Sequence, residues 1–446
     1  MRWVYHWYWH AAQVGEQRWS ESGPTAYSGW VQHRCTAPLA SPSAATSFMT
    51  TAAQTDTSKW AKARRELGLR LARRLFDDLA KNPMTLESKR SPAVSWSLIL
   101  AHVAAAAVYS VSLVSGIAGL IIVLPPWTTV FDPIVGVMLL LLGWAARPQA
   151  AAAPDYWLDR AEFPTLYAAA DRIAKALGTQ PVQALARSVE FNANFRLAGW
   201  SRRPFVELGA PLMAVLSSEE RLALIAHELS HGANRDPLRS SYLGGALDAL
   251  VTWSCAMRPT SFGRAAEGVS FGPLVSLLVI PFEMAMLALS EAVLLMARGL
   301  FMLVLRQSQR AEYLADSLAA AVVGTRPMQQ ALEKLYLGEL VDAAVREHAL
   351  KTPSDPLVHR LMDVANGVDQ ATKDKLREAS AAAMWQADIS HPPTALRVQM
   401  LGLNPRPALA GLLSPSESLA LDREMARLVA MSERELVHLH LEAEGC

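Results

Sequence analysis

"ALIAHELSHGANRDP", residues 223–237, closes a run that reads as helix and sets His227 and His231 four residues apart around Glu228. Four residues on a helix are just over one turn, a rise of about 6 Å along one face, so both imidazoles can be directed onto one tetrahedral metal ion. Glu228 sits one residue round the helix from His227, placed to hold and deprotonate a water rather than to ligate. The run begins "SSEERLAL", with a capping signal at Ser217 or Ser218 ahead of acidic first-turn residues, which puts the motif on a helix. The alternative, two ordinary helix-face histidines, leaves the glutamate between them unexplained.

A catalytic zinc site needs a third protein ligand and an open position. "RQSQRAEYLADSLAA", residues 306–320, offers Glu312 and, four residues on, Asp316. Glu312 is the candidate third ligand, and Asp316 the carboxylate that orients a ligating imidazole through its other ring nitrogen. Spacing alone reads as readily as a pair of solvated surface acids, because acidic pairs at this interval are common on helices. The three cysteines, Cys35, Cys255 and Cys446, are odd in number and stand in no metal-ligand spacing, so any metal is held by histidine and carboxylate.

The chain has 446 residues, enough for two or three core-forming units, and a formal net charge of +1 from 42 basic and 41 acidic residues. That balance provides no field to draw it onto nucleic acid. Residues 1–58 are rich in Trp and Tyr and then of low complexity, a leader rather than a folded segment, with Met49 an alternative start. Residues 59–90 begin with "KWAKARRELGLRLARRLFDDLAK", a basic amphipathic helix with Leu67, Leu71, Leu75 and Leu79 at helical spacing. Its two readings are a helix on an anionic membrane surface and a helix packed on its own protein.

Residues 91–147 form a transmembrane hairpin. No charge falls between Arg90 and Asp132, a stretch longer than the roughly 20 residues a crossing needs, and a second apolar run follows Pro125 and Pro126. Lys81, Lys89 and Arg90 precede the pair and Arg147 follows it, so both ends face the cytoplasm. Residues 155–240 read as an α/β unit with two or three strands before the His-Glu helix. Residues 241–306 are a second hydrophobic region whose Glu283, Glu291 and Arg298 share one side of a helix, facing a bundle interior or the interface rather than lipid. If residues on both sides of this region meet in one site, it crosses the membrane twice or not at all. Two crossings are the expectation, although they leave Arg258 and Arg264 in an outside loop. Residues 307–404 and the tail 405–446 read as charge-rich helix.

The order of a basic helix, an apolar hairpin, "AHELSHGANRD", a second hydrophobic region, "RAEYLAD" and "SHPPTALRVQML" resembles the HtpX-like membrane zinc endopeptidases, relatives of the CAAX prenyl proteases and of the mitochondrial quality-control protease OMA. The resemblance covers about residues 90 to 404. It implies a mainly α protein: transmembrane helices plus a zincin-type α+β metallopeptidase domain, with a small strand element before the HExxH helix. It further implies Zn2+ on His227, His231 and Glu312, with Glu228 as general base. Asp236 matches an acidic position after the motif, Asp316 a supporting acid, and His391 and Arg397 the late His-Pro segment. There His391 would stabilise the oxyanion and Arg397 anchor it. Asn192 and Asn194 fall in the segment resembling the family's edge strand, which would bind an extended polypeptide substrate by strand addition.

These readings converge on a multi-pass integral membrane zinc endopeptidase with its catalytic domain facing the cytoplasm. It would act in protein quality control on membrane or membrane-proximal polypeptides, with the lipid bilayer as its other partner and no nucleic acid. Nothing in the sequence indicates an oligomeric state. The alternatives are a peptidase dedicated to one substrate, a non-catalytic zinc-binding membrane scaffold, and a transporter built on Glu283, Glu291 and Arg298.

Overall fold

The computed structural model describes residues 59–81, 96–147, 153–154, 156–199, 203–234, 241–258, 273–351, 355–383 and 391–444. They are mainly helical with one small sheet. They divide into two compact units, one drawn from Ala93–Ala151 and Ser240–Leu305, the other from Ala53–Pro92, Ala152–Arg239 and Arg306–Cys446. Helix α1, Lys59–Lys81, belongs to the second unit.

The first unit opens with α2, Trp96–Val123, and α3, Asp132–Ala145. Among the described residues two helices are long and apolar enough to cross a membrane, α2 and the stretch Pro281–Val323, whereas α3 is shorter. The turn before α3 is built by Asp132, whose carboxylate accepts from the backbone N–H of Thr128 at 2.6 Å and of Thr129 at 3.0 Å. Glycines let α2 and α3 approach backbone to backbone. A Cβ on Gly136 would fall 2.5 Å from Val123 N, and one on Gly119 would fall 2.7 Å from Leu140 N. The outer side of the pair leaves Leu113, Val114, Leu120, Ile121 and Leu141 exposed, an apolar surface that water does not favour.

Helix α7, Ser241–Met257, lies against α2, where Tyr109 Oη donates to the Tyr242 carbonyl at 2.7 Å. Helix α8, Pro273–Val323, is 51 residues long and holds Pro281 inside it. It meets α7 through Ser290 Oγ, which donates to the Ser254 carbonyl at 2.7 Å, and through an ion pair between Glu291 and Arg258. Glu283, Glu291 and Arg298 are all half-buried, while Phe282, Met284, Leu295 and Met302 are exposed. The sequence reading separated a hydrophobic region ending at 306 from a soluble helix after it, but α8 runs through that point unbroken. No glycine or proline occurs between Gly299 and Gly324 to stop it, and Gly324, with φ +91°, supplies the stop.

The second unit contains strands β1 (Trp157–Leu158), β2 (Leu185–Ser188), β3 (Ala193–Ala198) and β4 (Arg203–Gly209), in the order β1-β2-β4-β3. β2 and β4 are parallel; β1 and β3 run antiparallel to their neighbours, and β3 is an edge. The expected two or three strands are joined by β1, too short for alternation to reveal. The apolar run after Gly209, read with the strands, is instead helix α5, Ala210–Val215, every residue of it buried. Helix α4, Pro164–Ala176, precedes β2.

Helix α6, Ser218–Asn234, carries the His-Glu motif. Ser217 and Glu220 cap it reciprocally: Ser217 N donates to Glu220 Oε2 at 2.8 Å and Glu220 N to Ser217 Oγ at 3.3 Å. The core around it gathers Leu166, Ile173, Leu185, Leu208, Ile225 and Met328. After α8 the chain forms α9 (Thr325–Lys334), α10 (Gly338–Lys351), α11 (Leu357–Gly367), α12 (Gln370–Ala383), α13 (Thr394–Leu403) and α14 (Pro415–Glu444).

Helix α14, expected as a tail, is part of this core, with Leu421, Met425, Leu428 and Val429 buried. Both Glu424 oxygens accept from the start of α4, Thr165 N and Leu166 N, each at 2.8 Å. Asp422 accepts from Ser218 Oγ at 3.0 Å and pairs with Arg221, so α14 also grips the first turn of α6. In α1, Leu75 and Leu79 are buried against Tyr313, with Leu396 and Met400 beside them. Its C-terminal half is thus packed on its own protein, leaving Arg73, Arg74 and Lys81 exposed.

Candidate metal centre

One turn of α6 brings His227 Nε2 and His231 Nε2 to 3.1 Å from each other. Glu312, on α8, closes the triangle: its Oε2 lies 3.5 Å from His227 Nε2 and its Oε1 3.3 Å from His231 Nε2. Bonds of about 2.0–2.1 Å at tetrahedral angles put neighbouring donors about 3.3 Å apart, so these three side chains fit one zinc-sized ion. All three are at least 96 % buried, and uncompensated polar atoms at that depth are costly. Glu228 is equally buried, with Oε1 4.0 Å from His227 Nε2. His227, Glu228 and His231 also form a compact candidate metal-ligand group among the described residues. Glu312, outside that group, is the carboxylate that approaches both imidazoles, at 3.5 and 3.3 Å.

Charges behind the triangle are matched in pairs. Asp316 Oδ1 is 2.9 Å from His227 Nδ1, which turns the other ring nitrogen toward the centre. Arg397, on α13, forks onto Asp316, with Nε to Oδ2 at 2.8 Å and Nη2 to Oδ1 at 2.7 Å, and its Nη2 is 3.4 Å from Glu312 Oε2. Burial pulls the His227 pKa down, but hydrogen bonds to Asp316 and Glu312 outweigh it and raise it to about 9. Burial lowers the Arg397 pKa too, and Asp316 more than offsets it, so the guanidinium stays charged.

His391 is one-third exposed and places Nδ1 2.9 Å from Glu312 Oε2. Arg397, expected behind the ligands with Asp316, forks onto that carboxylate. Asn192 turns its side chain onto its own strand, Oδ1 accepting from Ala193 N at 2.9 Å, and its carbonyl accepts from Gly209 N at 2.9 Å. A Cβ on Gly209 would overlap the carbonyls of Glu190 and Asn192, which is why that turn needs glycine. Asn194 is half-buried in β3. Asp236 lies outside the described residues. The arrangement therefore gathers His227, Glu228, His231, Glu312, Asp316, His391 and Arg397, with Asn194 on the neighbouring strand β3 and Asn192 just before it.

The sequence reading missed Phe195. Its backbone N–H donates to Glu228 Oε2 at 2.6 Å, a contact no side-chain pattern announces.

A model of peptidase family M48 matches residues 161–402, more than half of the chain. The chain is 27% identical over 278 residues to a protein named Protease HtpX homolog from Halobacterium salinarum, covering 60% of this chain and 86% of that one. It is 26% identical over 246 residues to one of the same name from Pyrococcus furiosus, covering 54% and 73%. Protease HtpX of Stenotrophomonas maltophilia strain K279a is 27% identical over 212 residues, covering 45% and 68%. No solved structure matches the chain.

Proposed function

Because the chain belongs to peptidase family M48, a family of metallopeptidases, we propose that it is a membrane-embedded, zinc-dependent endopeptidase acting on membrane or membrane-proximal polypeptides in protein quality control. The observation that carries the reading is the buried triangle of His227, His231 and Glu312, with donors 3.1–3.5 Å apart and the Glu228 carboxylate beside it.

His227, His231 and Glu312 would hold zinc, whose bound charge polarises the scissile carbonyl and acidifies the attacking water. Glu228 takes the proton of that water and passes it to the departing amine nitrogen. Asp316 fixes the tautomer and direction of His227, and Arg397 keeps Asp316 ionised and in place. His391, at the exposed side of the site, is positioned to donate to the oxygen that gains charge as the carbonyl is attacked. A substrate in extended form adds to β3, the edge strand that runs beside Glu228.

Membrane embedding rests on the bare apolar surface of α2 and α3 and on the length of α8. With His231 before the second hydrophobic region and Glu312 after it sharing one site, that region crosses the bilayer an even number of times. We infer a site on the cytoplasmic side from the basic residues that flank the hairpin, Lys81, Lys89, Arg90 and Arg147. Ion pairing of Glu291 with Arg258 gives that intramembrane acid a structural role without invoking transport. The test is cleavage of an unfolded protein by the purified chain and by Glu228→Gln, with zinc content measured on both. Equal zinc and activity in the wild type alone is the expected result; equal activity in both would sink the proposal.

A further inference from the structure

A general base must be aimed as well as present, and the Glu228 carboxylate has a donor that does this. Phe195 N–H points away from β4 and donates to Glu228 Oε2 at 2.6 Å, short for a nitrogen donor, as expected when the acceptor is charged. Phe195 faces Val206 across the β3–β4 ladder, and since its N–H turns outward, the sheet gives up no ladder bond to supply it. The ring of the same residue lies over Gly232, the residue after His231. A Cβ there would fall 2.9 Å from Phe195 Cζ, so glycine leaves the notch into which the ring fits. Strand and active-site helix are latched at one residue, through its ring on one contact and its amide on the other.

We propose that Phe195 is a positioning residue for the hydrolysis, its backbone N–H holding one oxygen of Glu228 so that the other is aimed at the attacking water, with the Phe195 ring in the Gly232 notch fixing that register. This rests on Glu228 being the general base. It also divides the edge strand by role: the Phe195 amide serves the enzyme's own base, and an incoming polypeptide pairs with the other outward groups of β3.

Replacing Phe195 by its α-hydroxy analogue, through nonsense suppression, exchanges the N–H for an ester oxygen and leaves the ring in place. With labelled β-casein as substrate and the full chain in detergent, kcat should fall about ten- to a hundredfold, the range for losing a hydrogen bond to a charged group. KM and zinc content should not change. Independently of turnover, the Phe195 amide proton in protein labelled with 15N-phenylalanine should resonate far downfield and move upfield in Glu228→Gln. A raised KM with unchanged kcat would assign the N–H to the substrate and overturn the inference, as would an ester enzyme that matches wild type while Glu228→Gln is dead. A fully active Glu228→Gln would overturn the proposed function and this inference together. If the ester chain does not fold, Gly232→Ala and Phe195→Ala serve instead: the first pushes the ring out of the notch and the second removes it, so each should lower kcat with KM and zinc content unchanged. Wild-type kcat in both would overturn the latch.

Discussion

Asp316→Ala separates two roles that the geometry gives to one carboxylate. Asp316 is 1% exposed and its oxygens take two bonds from Arg397, at 2.7 and 2.8 Å, and one contact from His227 Nδ1, at 2.9 Å. Removing one partner of a buried ion pair costs about 3–5 kcal/mol. Glu312 Oε2, 3.4 Å from Arg397 Nη2, still offers the guanidinium a partner, which puts the expected loss at the lower end, about 3 kcal/mol, or about 6–12 °C in Tm for a unit of this size. Zinc affinity should fall about 10–100-fold, because the ligating His227 loses the group that orients it. Stability is read by thermal unfolding in detergent with chelator present, so that metal linkage does not enter, and affinity by chelator competition. The double variant Asp316→Ala with Arg397→Met removes both charges and should recover most of the Tm, since neither is then stranded. It should not recover zinc affinity. Wild-type zinc affinity in Asp316→Ala, or its return in the double variant, would refute the assignment of Asp316 to His227.

The hairpin and the C-terminal helix give two more tests. Gly136→Ala places a methyl 2.5 Å from a backbone nitrogen that cannot move aside, so it should destabilise the protein by about 1–3 kcal/mol. Gly116→Ala, which meets nothing within 4 Å, should leave Tm unchanged or slightly raised. Arg172, with the Ser414 backbone N–H and hydroxyl, holds the Glu417 carboxyl at a pKa of about 2, below its ordinary 4.5. A depressed folded-state pKa contributes stability above the unfolded value and loses it as pH falls toward the folded one. The Tm difference between wild type and Glu417→Gln should therefore be full above about pH 4.5 and vanish as pH approaches 2; a difference independent of pH would contradict the ion-pair account.

How much was legible in the sequence follows from how each feature is encoded. The cap at Ser217 and Glu220, the alternation in β2 to β4 and the apolar run of α2 are local patterns, and local patterns survive folding. Glu312 stands out beside two histidines 81 and 85 residues earlier only through the resemblance of the motif order, since spacing alone reads as readily as a pair of surface acids. What escaped was carried by backbone or by long-range packing. Phe195 acts through an amide every residue possesses, β1 is two residues long, and the burial of α14 depends on Leu421 and Met425 meeting helices far away in the chain. The amphipathic pattern of α1 was plain, yet an apolar ridge suits lipid or protein equally, and only Tyr313 and Met400 decide it. The unbroken course of α8 through residue 306 was concealed by a change from apolar to charged composition, which alters what a helix faces without ending it.

The most direct test of the central claim is zinc content and casein cleavage measured together on wild type and Glu228→Gln. The account predicts about one zinc per chain in both, as a single three-ligand site requires, and cleavage by wild type alone. Zinc absent from wild type, or cleavage undiminished without the Glu228 carboxylate, would contradict it.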